Sequence, residues 1–368
     1  MSTQLISKLT VRLTDWLLVI LGVSFILWFG IRLPVFSVYQ SNTNKEASSV
    51  TTQNLRSHVK ALIEDYAPRT LAYGNLNITA HYIHHELARY GQVHYQPYWT
   101  LAGRFSNVVF SLGPDTQEVF VIGAHYDAES DSLDVDGNAS GVATLIELAR
   151  VLSEKEDKLP IRVLLVAYPL SQKNITSTQN MGSYNHAELL SKQEKNVKLM
   201  ISLDGVGRFN PKIETQHYPY RFMKLFYPNK GDYISLIGRL QDFAVVRRLK
   251  NSFSRSSALP MYSFNAPERY SLTTSNDHIN YQKKGFPAVL ISDTANYRAF
   301  KEGQHDVVDQ LDYEKMSMLV KGLYHVVMES EKGEVAEQLV RQKSDITGES
   351  RYFGGLINKN SKKGGGVL

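Results

Sequence analysis

The chain of 368 residues contains no cysteine. Disulfide frameworks, thiolate zinc sites, cysteine nucleophiles and iron–sulfur clusters are therefore excluded, and any metal must sit on His, Asp, Glu or neutral oxygen ligands. A strong excess of one charge is lacking too. With 41 Lys and Arg against 36 Asp and Glu the net charge is +5, which over this length makes no basic stripe. No nucleic-acid motif accompanies the pI of about 9.0, so no nucleic-acid partner is expected. No internal repeat is visible. What is present is a 43% share of hydrophobic residues, ordinary for a globular protein, in a chain long enough for two domains or one large α/β domain.

Long apolar runs are confined to the N-terminal segment. Trp16 to Ile31 carries no charge, lies between Asp15 and Arg32, and is followed by Leu33, Pro34, Val35 and Phe36. The run is shorter than the roughly 20 residues that span a bilayer, but Arg32 can snorkel to the interface and extend the span to Phe36. No small-x-small pair follows it, which argues against a cleaved signal peptide. Lys8 and Arg12 precede the run, so the positive-inside bias places the N-terminus in the cytoplasm. The expected organisation is a cytoplasmic segment 1–15, a transmembrane anchor 16–36, a polar linker 37–50, an extracytoplasmic domain 51–332 (periplasmic if the source is bacterial) and a disordered tail 333–368. Triplets of the N-x-[ST] type at Asn77, Asn138 and Asn174 are common by chance and carry no weight.

Within the domain, short apolar runs alternate with amphipathic stretches. Residues 119–124, 161–168, 198–203 and 288–293 have strand length and continuous apolarity, as expected of strands buried on both faces. A helix is predicted after Asn138, where Val142, Leu145, Ile146, Ala149 and Leu152 share one face, and another from Asp312 through Met316, Leu319, Val320, Leu323 and Val327. This alternation predicts a mostly parallel sheet with helices on both faces, whose ligands sit at the carboxyl ends of the strands. At those ends stand His125 and Asp127, Asp204, and Asp293. An acidic loop with Glu129, Asp131, Asp134 and Asp136 leads into the first helix. Singly, each has an ordinary alternative: an acidic loop is usually solvated, and a lone His is more often structural than a ligand.

Together these segments resemble a family. GAHYDAESDSLDVDGNASGVATLIELARVL, ISLDGVGR, NDHINYQKKGFPAVLISDTANYR and QHDVVDQLDYEKM are similar, in order, to successive blocks of the di-zinc aminopeptidases of the bacterial leucyl aminopeptidase type, relatives of glutamate carboxypeptidase and glutaminyl cyclase. The resemblance covers roughly residues 50–330 and implies a three-layer α/β sandwich around a mostly parallel mixed sheet. It implies His125 and Asp204 as ligands of one zinc, His305 as a ligand of the other, and Asp127 as the partner that orients the His125 imidazole. Asp277 and His278 resemble the family's S-D-H block beside the substrate pocket, with Asn276 in place of Ser, and are assigned a supporting role.

Elsewhere the chain departs from the family. The bridging Asp is expected four residues before Gly141, where Gly137 stands, with Asp136 as the nearest substitute if the loop shifts by one residue. The Glu-Glu pair, general base and metal ligand, is expected after Tyr168, where the alignment gives Ser171 and Gln172. Between Ile161 and Ala187 there is no Asp or Glu at all. Asp306 follows His305 where the family usually has Thr. The expectation is a degenerate member with no assigned catalytic residue, at most one weakly held zinc ion, and a cleft that binds a peptide or protein. The alternative is an active zinc-dependent exopeptidase with displaced ligands, and a cyclase-like activity would need the same acidic group. Nothing in the sequence fixes an oligomeric state. His81, His84 and His85 lie mostly off the core face defined by Ile83, Leu87 and Tyr90 and are read as solvated.

Overall fold

The computed structural model describes residues 14–26, 50–71, 74–128, 136–169, 178–218, 221–225, 227–266, 276–294 and 307–330. Helix α1 occupies 14–26, with its apolar side chains, Trp16 and Ile26 among them, exposed. Among the described residues no helix is long and apolar enough to cross a membrane. The remainder of the expected anchor, the linker up to residue 49, and the tail lie outside the described residues.

From Thr52 the elements run α2 (Thr52–Lys60), α3 (Leu76–Ala88), β1 (Gln92–Thr100), β2 (Gly103–Leu112), β3 (Glu118–His125), α4 (Ala139–Ser153), β4 (Arg162–Tyr168), α5 (Gly182–Lys192) and β5 (Asn196–Leu203). They continue as β6 (Ile234–Arg239), α6 (Phe243–Ser256), β7 (Met261–Ala266), α7 (Asp277–Lys283), β8 (Ala288–Ser292), α8 (Val307–Gln310) and α9 (Tyr313–Met328). The strands form one eight-stranded sheet in the order β1-β2-β4-β3-β5-β8-β6-β7. Its centre, β4-β3-β5-β8, is parallel, whereas the β1-β2, β2-β4 and β6-β8 pairings are antiparallel.

Apolar burial on both faces explains why the central strands read as uninterrupted runs. Alternate residues of β3 face opposite ways: Phe120, Ile122 and Ala124 enter a large core with α2, α3, α4, α6 and α9, while Val119 and Val121 enter a smaller one with Ala187 and Leu190 of α5 and Tyr281 of α7. The result is three layers. Helix α9 starts where Asp312 caps it, its side chain accepting from Lys315 N at 3.0 Å.

The smaller core contains a polar chain. Tyr168 and Tyr281 share a hydrogen bond of 2.8 Å between hydroxyls, and His186 Nδ1 bonds the Tyr281 hydroxyl. Burial, with a smaller contribution from His94, pushes the His186 pKa down to about 3. The unfolded chain takes up this proton near pH 6.5 and the folded chain does not, so stability is full above that pH and falls as pH drops toward 3. At pH 5 the loss from this group is about 2 kcal/mol. His186→Gln, which keeps a hydrogen-bonding group beside Tyr281, is expected to shrink the difference between urea-unfolding free energies at pH 7.5 and pH 5. An unchanged difference would show that His186 is not the acid-sensitive group.

Candidate functional site

Strands β3 and β5 are adjacent and parallel, so their carboxyl ends deliver His125 and, one residue past β5, Asp204 to the same edge of the sheet. One buried side chain, Asn138, ties these ends together. Its Nδ2 donates to the carbonyls of His125 at 3.0 Å and Leu203 at 2.9 Å, while its Oδ1 accepts from Gly205 N at 3.0 Å. To reach both strands Asn138 adopts a left-handed backbone with φ 60°, which Asn tolerates better than most residues. Gly141 leaves the necessary room, since a Cβ there would stand 2.2 Å from Asn138 Oδ1. Ser140 finishes the junction, its hydroxyl accepting from Val206 N at 3.0 Å. The Asn-Ala-Ser-Gly run is thus a staple between two strand ends.

Across this edge His125 Nε2 lies 3.3 Å from Asp204 Oδ1, and His125 Nδ1 lies 3.2 Å from Asp127 Oδ1. Asn276 Nδ2 donates to the second Asp204 oxygen at 2.6 Å. Burial opposes protonation of His125, but the flanking carboxylates of Asp127 and Asp204 outweigh it and raise the pKa well above the ordinary histidine value. Nearby, burial raises the Asp277 carboxyl to about 7; His125 and a hydrogen bond from Ser183 oppose this, and the charges of Asp127 and Asp204 add to it. His278 is buried as well, and burial lowers its pKa to about 3 against the attraction of Asp204.

The loop entering α4 is built differently. Asp136 turns its carboxylate to the helix, Oδ1 accepting from Ser140 N at 2.9 Å and Oδ2 from the Ser140 hydroxyl at 2.6 Å. Gly137 has φ +48°, and a Cβ placed on it would lie 2.5 Å from Ala128 Cβ and 3.0 Å from the Arg69 guanidinium. Arg69 fills this space from behind, donating to the carbonyls of Tyr126 at 2.9 Å, Gly137 at 3.1 Å and Asp136 at 2.7 Å. Burial draws its pKa down to about 10, with Asp136 and Asp127 opposing, so it stays charged at neutral pH.

Of the other residues expected at the site, Asp293 braces the backbone, its Oδ2 accepting from Arg208 N at 2.6 Å. Ser171, Gln172 and His305 lie outside the described residues, as do Glu129, Asp131 and Asp134 of the acidic loop. On α3, His84 stacks against Tyr95 of β1 with ring centroids 4.5 Å apart, while His81 and His85 are exposed.

The architecture and the sequence agree with one family. The model of Peptidase family M28 matches residues 107–327, from β2 to α9. The chain belongs to peptidase family M28. Within reach of it is an Escherichia coli protein named "Uncharacterized protein YfbL", 35% identical over 323 residues that span 83% of this chain and 98% of the relative. Among solved structures, the LapA aminopeptidase of Legionella pneumophila superposes with a TM-score of 0.60 at 16% identity, over 81% of this chain and 77% of that one. A Zn-dependent exopeptidase from Parabacteroides distasonis superposes with a TM-score of 0.53 at 15% identity, over 76% and 98%.

The resemblance implies zinc, and the donor set can be tested against it. Tetrahedral zinc takes three or four protein ligands at about 2.0 to 2.2 Å, so two neighbouring donors stand about 3.4 Å apart. His125 Nε2 and Asp204 Oδ1, at 3.3 Å, match one such edge. No third ligand joins them: among the described residues no group of three His, Asp or Glu side chains is placed to hold a metal ion. The described residues do not make up a zinc centre. Sequence reasoning left two residues of this region unassigned. Asn138 was signalled only as part of a motif, and Arg69 had no signal, because its partners lie 57 to 68 residues further along the chain.

Proposed function

We propose that this M28 chain is a membrane-anchored, extracytoplasmic domain that binds a polypeptide in its cleft and hydrolyses it poorly or not at all. The observation that carries this reading is Gly137. At the position where the resemblance expects the bridging carboxylate, the chain has a residue without a side chain, and the space a side chain would need is taken by Ala128 and Arg69. The absence of any Asp or Glu from Ile161 to Ala187 supports it, since the general base is expected there. Hydrolysis of a peptide needs a water with a lowered pKa and a group to take its proton, and loss of that base alone costs about 10²- to 10⁴-fold in rate. On this reading zinc is held as at most one weak ion at His125 and Asp204. The uncharged segment from Trp16 to Ile31 and the basic Lys8 and Arg12 before it support the anchor and its orientation.

The full chain, assayed with saturating zinc or cobalt against aminoacyl and dipeptide substrates, is expected to give no turnover above the buffer rate. Zinc-dependent turnover that His125→Ala abolishes and that shows none of this loss of about 10²-fold or more would overturn the reading. A second reading, an exopeptidase in which Asp136 or a residue such as Glu129 takes over a lost carboxylate role, is favoured by the zinc-like spacing of His125 and Asp204. The same assay separates the two.

A further inference from the structure

The β1-β2 hairpin extends past the rest of the sheet. Strand β2 pairs with β4 only from Val108, opposite Ala167, so residues 98–106 project beyond the carboxyl end of β4, on the side where His125 and Asp204 stand. The inner face of this arm is fixed. Tyr98 and Phe105 are buried with ring centroids 6.2 Å apart, and Asn107 Nδ2 donates to Gln96 Oε1 and to Gly182 O, both at 2.9 Å. The tip is open to solvent, with Trp99 76% exposed and Leu101 fully exposed. Hairpin tips ordinarily carry Gly, Asn, Asp or Ser, and a large indole beside an exposed leucine is typical of a surface that meets another phase.

Charge narrows the choice of partner. Between Asp65 and Asp115 the sequence has a single acidic residue, Glu86, which Arg89 engages at 2.7 Å. Arg104 stands directly across the hairpin from Trp99. A tip with an exposed Trp and Leu, an Arg opposite the Trp, and no acidic residue in the sequence between Glu86 and Asp115 fits the headgroup region of an anionic bilayer. The linker from Phe36 to Val50 reaches at most about 45 to 50 Å when extended, which keeps the domain close to the membrane its anchor would enter.

We infer that the β1-β2 tip, Trp99 and Leu101 with Arg104 opposite the Trp, inserts into an anionic lipid surface and holds the sheet edge that carries His125 and Asp204 toward the bilayer. This rests on the anchored reading above. The chain has three tryptophans, Trp16, Trp28 and Trp99, which makes the two separable. The full chain is reconstituted into vesicles of phosphatidylcholine and phosphatidylglycerol with brominated acyl chains, which quench an indole that enters the bilayer. One arm uses W16F/W28F, leaving Trp99, and the other uses W99F, leaving the two anchor tryptophans. The expected result is quenching of Trp99 comparable to that of the second arm, weakened when phosphatidylglycerol is omitted and lost in W16F/W28F with Leu101→Asp, a change at a fully exposed position. Quenching in the W99F arm alone would overturn the inference and leave the anchor standing. Quenching in neither arm would overturn both. A Trp99 that stays unquenched but shifts its emission to the blue as protein concentration rises would assign the tip to a second copy of the chain, which also overturns the inference.

Discussion

Gly137→Asp is expected to lower the unfolding free energy by about 3 kcal/mol, from steric crowding plus a left-handed backbone, and to leave zinc binding no tighter. The substitution restores the residue type that the resemblance expects at the bridging position, so a simple loss of ligand would predict a gain. The structure predicts a loss. The new Cβ meets Ala128 Cβ at 2.5 Å and the Arg69 guanidinium at 3.0 Å, and φ is already +48°. Arg69 cannot move aside cheaply, because three backbone carbonyls hold its fork. Urea unfolding measures the first effect and a zinc titration the second. A variant as stable as the parent that binds zinc more tightly would mean that the space is open and the site merely unfilled.

Arg69→Met is expected to destabilise by about 4 kcal/mol, because it leaves three backbone acceptors without their donor, at about 1 to 3 kcal/mol each when buried. The guanidinium supplies hydrogen bonds to Tyr126, Asp136 and Gly137 carbonyls, and without it these acceptors stay in an interior that water reaches poorly. Arg69→Lys is expected to rescue little, since one ammonium cannot reproduce the planar fork that spans three acceptors. Urea unfolding of both variants tests this. A loss below about 1 kcal/mol for Arg69→Met, the range of an unremarkable surface change, would show that the loop into α4 is held by other contacts.

The parts of the fold that could be read in advance share a physical cause. Strands β3, β4, β5 and β8 are buried on both faces, and such strands print themselves as apolar runs; apolar spacing also marks α4 and α9, although α4 is enclosed on almost every side, with Thr144, Glu147 and Leu148 buried along with the face expected. The β1-β2 hairpin was not read. Strand β1 is an edge strand with Pro97 in its middle and mostly exposed residues, so neither alternation nor a continuous run marks it. Helix α6 buries Lys250 and Ser252 along with Val246, Leu249 and Phe253, so polar residues interrupt the apolar stripe that would mark it. At the site, His125, Asp127 and Asp204 were legible because each follows or ends a buried strand. Asp136 was legible as a carboxylate near the site, but its role in ordering α4 depends on which way the loop turns, and that direction is set by Gly137 and Asn138, both in the left-handed region. Arg69 reaches the site only through the tertiary fold.

On the proposed reading the chain keeps one edge of a metal site, His125 and Asp204, and has closed the position from which a second would be built. The most direct test is the zinc content of the purified full chain, by elemental analysis after equilibration with zinc and removal of excess. At most one ion per chain is expected, readily removed by a chelator and lost in His125→Ala. Two firmly held ions per chain would contradict it, and would mean that carboxylates elsewhere complete a working M28 centre.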